Sequence, residues 1–300
     1  MTAMHVLIVG WSSVLHGEAT AGDVLAMDAV RAELELRRIP HTVAWSAVMC
    51  PEGGTPLDEV DPRDCTHLVF VCGPLTGQPI AELHDRFAHC TRIALGVSII
   101  DRGDPVVTRF HTVIPRDGHG PAVRDLSAGV PTPTVPVIGV YLTSGQREYG
   151  ARRRHDTVRQ QLSEWLCTMS DCAFVELDTR LDPRDWRQNA TPAHTESIIR
   201  KLDAVITMRL HGFVLAVKNS VPALAVDPVS GGGKVSAQAA AWSWPGLVTA
   251  EEVSPARLSE TLSWVLSDAG RGRAADLAEV SDRAGREQLD ALMSVLPTVD

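Results

Sequence analysis

Two short segments hold the residues best suited to chemistry. Arg209 and His211 stand between an apolar run at 204–208 and a helical stretch at 212–218, and Gly231-Gly232-Gly233-Lys234 follows the next apolar run. A guanidinium and an imidazole just past a buried strand sit beside a helix N-terminus, whose first N–H groups lack acceptors and carry partial positive charge. The glycine-rich turn opens a second helix and adds an ammonium. Two helix starts, two cations and an imidazole at the crest of one sheet read as an anion site with a proton donor beside it. Lysine is scarce here, with three residues (201, 218, 234) against 25 arginines, so one inside a glycine turn stands out. Val235 follows it, so the turn is not a Walker phosphate loop. A lone histidine between strand and helix is more often structural; its pairing with Arg209 and the neighbouring glycine-lysine turn favours a site.

Weaker candidates lie elsewhere. The loop after the first strand contains Gly17-Glu18-Ala19-Thr20-Ala21-Gly22-Asp23, which is not a dinucleotide fingerprint. Gly22 lets the backbone approach a ligand closely, and Asp23 reads equally well as a helix N-cap. Glu18 and Asp23, two acids after a strand end, are the next proton donors to consider should His211 only bind. Six cysteines show no C-x-x-C pair and no histidine at zinc spacing. Reduced, mostly buried thiols are expected, with no metal site, and Cys72 reads as a strand-end thiol rather than a nucleophile.

These residues need a scaffold that brings strand ends to one edge. Apolar runs at 5–10, 41–45, 66–72, 93–100 and 113–114 alternate with helical spacing at 23–38 and 80–90. Residues 129–136 hold three prolines in eight positions and read as a linker. The pattern then restarts, with strands at 137–142, 173–177, 204–208 and 223–226. Helices fall at 154–169, from Pro192 with Thr191 as its cap, at 212–218, and from Ser254-Pro255 to about 266. A final long helix is expected over 273–296. The fold class is therefore α/β, with two doubly wound, Rossmann-like domains facing a cleft: 1–130, 137–270, and a C-terminal helix at 271–300 packing across the junction.

Composition sets the outer bounds. At 44 % hydrophobic and 22 % charged over 300 residues, the chain reads as a globular protein. No apolar stretch is long enough to span a bilayer, and the N-terminus lacks the basic start of a signal peptide, so a cytoplasmic location is expected. A net charge of −9 argues against nucleic acid, because the densest basic cluster, Arg152-Arg153-Arg154-His155, is small.

The segment from Asp203 to Asp227, with Arg209-Leu210-His211 inside it, resembles the signature of the polysaccharide pyruvyl transferase family. That resemblance implies two Rossmann-like domains arranged as in GT-B glycosyltransferases. It also implies transfer of a pyruvyl unit from phosphoenolpyruvate onto sugar hydroxyls as a ketal. Arg209, His211 and Lys234 would hold the donor, with Gly232 and Gly233 beside them. Gly22-Asp23 resembles the family's glycine-aspartate after strand one, and Arg116-Asp117 stands where its arginine-aspartate precedes the linker. The first domain would then take the acceptor and the second the donor. Two local patterns differ: Val71-Cys72-Gly73-Pro74-Leu75 replaces a triple-glycine turn, and Tyr141-Leu142-Thr143-Ser144 lacks an arginine, which Arg147 or Arg153 would have to replace. The chain is also shorter than is usual for the family. The implied partners are a small-molecule donor and a sugar-like acceptor, with no cofactor, no metal and homo-oligomerisation left open. The alternatives are a GT-B-type glycosyltransferase using a nucleotide sugar, and a non-catalytic ligand-binding relative.

Overall fold

The computed structural model describes residues 3–14, 19–281 and 285–296. The chain divides into two compact units, Met1–Pro133 and Thr134–Asp300.

The first unit carries strands β1 (Val6–Val9), β2 (His41–Trp45), β3 (Thr55–Pro56), β4 (His67–Val71), β5 (Thr91–Ser98) and β6 (Thr112–Asp117). They pair in parallel in the order β3-β2-β1-β4-β5-β6. β1 is buried along its whole length, which is why its sequence is an unbroken apolar run instead of an alternating one. Helix α1 (Ala21–Leu36) covers one face, packing Ala26 and Met27 on Ile8 and Val69. Helices α2 (Gln78–Arg86) and α3 (Pro105–Thr108) cover the other, where Phe70, Phe87 and Phe110 meet. The strand order reverses direction between β1 and β4, so their carboxyl ends flank the crevice where doubly wound sheets take ligands.

The second unit repeats the plan with β7 (Val137–Tyr141), α4 (His155–Leu166), β8 (Ala173–Glu176), α5 (Pro192–Ile199), β9 (Ala204–Thr207) and α6 (Leu210–Lys218). It continues through β10 (Ala223–Asp227), α7 (Lys234–Ala241), β11 (Leu247–Thr249), α8 (Pro255–Leu266) and α9 (Asp268–Glu279). The parallel order is β11-β10-β9-β7-β8, reversing between β7 and β9. Thr191 caps α5 by accepting the His194 N–H, as its Thr-Pro start predicts.

Three expectations are corrected here, and two edge strands are added to the expected set. Asp23 is not the N-cap of α1: Thr20 is, and Asp23 returns its carboxylate to the Thr20 N–H at 2.8 Å, completing a capping box. The edge strands β3 and β11 are too short, at two and three residues, to leave a sequence period. A 3-10 turn over Leu126–Gly129 takes up the start of the expected linker. The final helix is not one piece. α9 starts at the Ser267 cap and closes by Glu279, and α10 (Arg286–Val295) begins after Gly285, whose φ of +74° is left-handed. Ala274 and Leu277 of α9 are buried with Phe213 and Trp244 inside the second unit.

Candidate functional site

Arg209 is positioned by the end of β9. The Thr207 hydroxyl accepts the Arg209 N–H at 2.9 Å and donates to the Arg209 carbonyl at 3.1 Å, pinning the residue as α6 begins. Gly212 lets the helix start lie this close, because a Cβ there would stand 2.3 Å from the Thr207 hydroxyl and 3.4 Å from the Tyr141 ring. The guanidinium then faces a cavity of about 480 Å³, walled by Thr143 and Ser144 after β7 and by Leu177 and Asp178 after β8. This is the carboxyl edge of the sheet, beside the β7/β9 reversal. Arg159, Arg180, Arg187, Gln188 and Asn189 add to its polar lining, so with Arg209 four arginines meet two acids, Glu176 and Asp178. Among the described residues Arg209 Nε is buried without a partner, an uncommon and costly state for a charged donor. Its Nη2 lies 3.7 Å from Asp178 Oδ1, within ion-pair range but beyond a hydrogen bond.

Asp178 opens a repeated pattern. Asp178 and Arg180, Asp182 and Arg184, and Asp185 and Arg187 each form an Asp-x-Arg pair. In each, the carboxylate accepts the arginine's own N–H and also binds its guanidinium. Burial works against the ionised form of Asp178, but the hydrogen bonds from Arg180 and the charge of Arg209 outweigh it and hold the carboxyl below its ordinary range.

The other two predicted donor residues stand outside this cavity's lining. His211 lies in the first turn of α6 and is exposed. Lys234 is half-buried at the first position of α7. Because β9 and β10 are parallel neighbours, both helices start at the same edge of the sheet. The glycine turn itself is already occupied. Asp227 Oδ2, buried at the end of β10, accepts the N–H groups of Gly233 and Ser236 at 2.7 and 2.8 Å. The Gly232 N–H goes to the Val229 carbonyl and the Gly231 N–H to Glu251. A buried carboxylate needs donors, and the turn supplies them, so the amides of Gly232 and Gly233 are engaged within the protein. Near Lys234, His155 is fully buried, its Nε2 3.0 Å from Gln146 Oε1, and its imidazole is pushed below the usual value by burial and then by Arg153. Arg153 is itself held by the Gly145 carbonyl and Asp156. Arg159, Arg180 and Arg187 line the cavity with Thr143 and Ser144, Arg180 paired with Asp178 and Arg187 with Asp185.

A cation-rich cavity at a strand-order reversal, with Arg209 at its wall, is the decisive geometry, and its sequence carries a family match. Residues 145–230 match the polysaccharide pyruvyl transferase family. The match takes in Arg209, His211 and the Asp-x-Arg loop but stops four residues short of Lys234. No curated protein matches the chain. Among solved structures, a glycotransferase of kitacinnamycin is 13 % identical, covering 99 % of this chain and 100 % of that one with a TM-score of 0.37. MurG of Acinetobacter baumannii is 10 % identical over 98 % of this chain and 100 % of its own, with a TM-score of 0.36. WaaG, a glycosyltransferase of lipopolysaccharide biosynthesis, is 10 % identical over 92 % and 95 %, with a TM-score of 0.34.

Outside the pyruvyl transferase match, the first unit holds a cavity of about 570 Å³ at the β1/β4 reversal, lined by Thr20, Gly22, Asp23, Cys72, Arg116 and Asp125 among others. Arg116 is not a free cation there. It donates to Asp117 at 2.8 Å, to the Ser98 hydroxyl at 2.7 Å and to Asp125. Arg116, expected among the substrate-binding residues, lines this cavity and holds Asp125. Asp125 stays ionised below the ordinary carboxylate range, through Ser127 and Arg116. Burial raises the Cys72 thiol to about 11, so it is neutral, as a strand-end thiol at φ +65° rather than a nucleophile. All six cysteines are free, and Cys65, Cys72 and Cys90 are buried. Glu18 lies outside the described residues. Among the described residues, no group of three or more potential ligands is placed to hold a metal ion, and no helix is long and apolar enough to cross a membrane.

Sequence reading missed Asp178, Arg180, Arg187 and Asp125 as cavity residues. For Asp178 the signal was present, an acid directly after the β8 run followed by Asp-x-Arg steps. For Asp125 there was none, because it meets Arg116 only through the return of the chain after β6.

Proposed function

We propose that this protein transfers a pyruvyl unit from phosphoenolpyruvate to hydroxyls of a sugar-like acceptor. The observation carrying the reading is Arg209, buried at its Nε, aimed at a four-arginine cavity within the segment matching the pyruvyl transferase family. Phosphoenolpyruvate carries a carboxylate and a phosphate on adjoining atoms, and multiple guanidiniums in a partly desolvated cavity suit both. Lys234 adds a further cation from the start of α7.

In the proposed reaction a proton adds to the methylene carbon of the donor, leaving cationic character on C2. An acceptor hydroxyl attacks C2 and loses its proton. Phosphate then departs with the C–O electron pair, and a second hydroxyl attacks C2 and loses its proton to close the ketal. Arg209 and the cavity arginines hold the phosphate as charge builds on it, and His211, exposed on the first turn of α6, delivers the proton.

The test is a thermal-shift series with phosphoenolpyruvate, pyruvate, UDP and GDP, followed by phosphate release with a sugar panel. Phosphoenolpyruvate alone is expected to raise Tm. A response confined to UDP or GDP overturns the reading in favour of a nucleotide-sugar enzyme. Lys234→Ala should raise the donor KM with little change in kcat, and His211→Ala should lower kcat by about 10²–10⁴. His211→Asn, which donates a hydrogen bond without a proton to transfer, should recover binding but not turnover.

A further inference from the structure

The loop between β8 and α5 carries an indole that the protein leaves uncovered. Trp186 is 92 % exposed, although tryptophan is among the side chains that folding usually buries most. It stands between Asp185 and Arg187, in a segment that closes on itself. Leu181 pairs with Asn189 as a parallel bridge, and the Asp182 N–H donates to the Asn189 carbonyl at 3.0 Å, so the two ends of the segment meet. Within it Asp182 holds Arg184 and Asp185 holds Arg187. Among the described residues, every hydrogen bond and ion pair of residues 182–188 is made within 182–189. No polar contact beyond the paired base therefore ties the tip to the sheet. Yet Arg187, Gln188 and Asn189 line the four-arginine cavity, which puts the tip at that cavity's rim.

The ion pairs of this tip open easily. The Arg184 and Arg187 side chains are 87 % and 72 % exposed, and exposed pairs contribute little. A phosphate or carboxylate inside the cavity offers Arg187 a bidentate partner in a drier place. An anion that draws Arg187 inward brings the adjoining Trp186 with it, and the indole exchanges water for the ligand and the cavity mouth. We propose that residues 181–189 form a strap, hinged at their paired base, that closes over an anion in the cavity. Arg187 leaves Asp185 for the anion, and Trp186 covers it, so both become ligand contacts only in the closed form. The strap rests on the reading of this cavity as a donor site, though not on which donor it takes. Closure serves pyruvyl transfer directly, because cationic C2 must meet an acceptor hydroxyl before it meets water.

The test is acrylamide quenching of tryptophan emission in the full chain, alone and with phosphoenolpyruvate, inorganic phosphate or UDP. Calorimetric titration of the same three ligands runs beside it. Subtracting Trp186→Phe from the wild type isolates Trp186 among the seven tryptophans. Without ligand that difference should be readily quenched, and saturating phosphoenolpyruvate should abolish its quenching. Trp186→Ala, a change at an exposed position, should weaken phosphoenolpyruvate about tenfold, the worth of partly burying an indole. Asp185→Asn releases Arg187 in advance and should tighten binding by about two- to fivefold. The strap alone is overturned if phosphoenolpyruvate binds while Trp186 stays fully quenchable, if Trp186→Ala binds it as tightly as the wild type, or if Asp185→Asn gains nothing. Protection of Trp186 by UDP or inorganic phosphate, with no phosphoenolpyruvate binding, upholds the strap and sinks the pyruvyl-transfer reading. If none of the three anions binds, both fall.

Discussion

Arg209 Nη2 stands 3.7 Å from Asp178 Oδ1, near enough to feel the charge and too far to hydrogen-bond. Asp178 is instead engaged by Arg180, whose Nε donates to it at 2.7 Å. The carboxylate thus competes with an incoming anion for Arg209 without satisfying it. Asp178→Asn should bind phosphate or phosphoenolpyruvate about fivefold more tightly, the effect of removing one half-screened negative charge. Isothermal titration measures this, and weaker binding by the variant would show that Asp178 orients Arg209 instead of restraining it.

Arg116 should act on stability rather than on the donor. It joins Asp117, Asp125 and Ser98, and Arg116→Ala leaves two carboxylates facing each other. A loss of about 2–3 kcal/mol in urea unfolding is expected, with donor affinity changed less than about twofold. A large rise in donor KM with unchanged stability would restore Arg116 as a ligand residue.

Gly212→Ala should cost about 2 kcal/mol or more, because the added Cβ would meet the Thr207 hydroxyl at 2.3 Å and force α6 away from β9. Since Thr207 also pins Arg209, donor affinity should fall with stability. Thr207→Ala in the same background should return part of the stability by making room. A fully stable Gly212→Ala protein would contradict the packing described here.

Stability should fall as pH drops below about 6.5. His84 and His155 are fully buried, and burial is the main cause that lowers both imidazoles from an ordinary value of 6.5. Between the lowered native value and 6.5 the unfolded chain binds more protons than the folded one. Stability is therefore complete above that window and declines through it, with a limiting slope of about 1.4 kcal/mol per pH unit for each histidine. Urea midpoints at pH 7.5 and 5.5 check this, and a higher midpoint at pH 5.5 would reverse the sign.

What the sequence determined by itself was local. Unbroken apolar runs such as Val6–Val9 mark strands buried on both faces, and Thr191-Pro192 and Ser254-Pro255 mark helix starts through the chemistry of their own side chains. Arg209, His211 and Lys234 were legible because a strand end followed by a helix start places a residue at one edge of a parallel sheet whatever the rest of the chain does. Hydrogen-bond ownership was not legible, because donors are assigned by proximity across the fold. Asp227, six residues before Gly233, takes the amides that the glycine turn offered, and Asp125 takes Arg116. Trp11 likewise packs over Gly73 and edge-on to Phe70, both far along the chain, and periodicity does not encode which distant backbone leaves room for an indole. Local patterning fixes where side chains emerge; only the packed chain decides which of them are still free to meet a ligand.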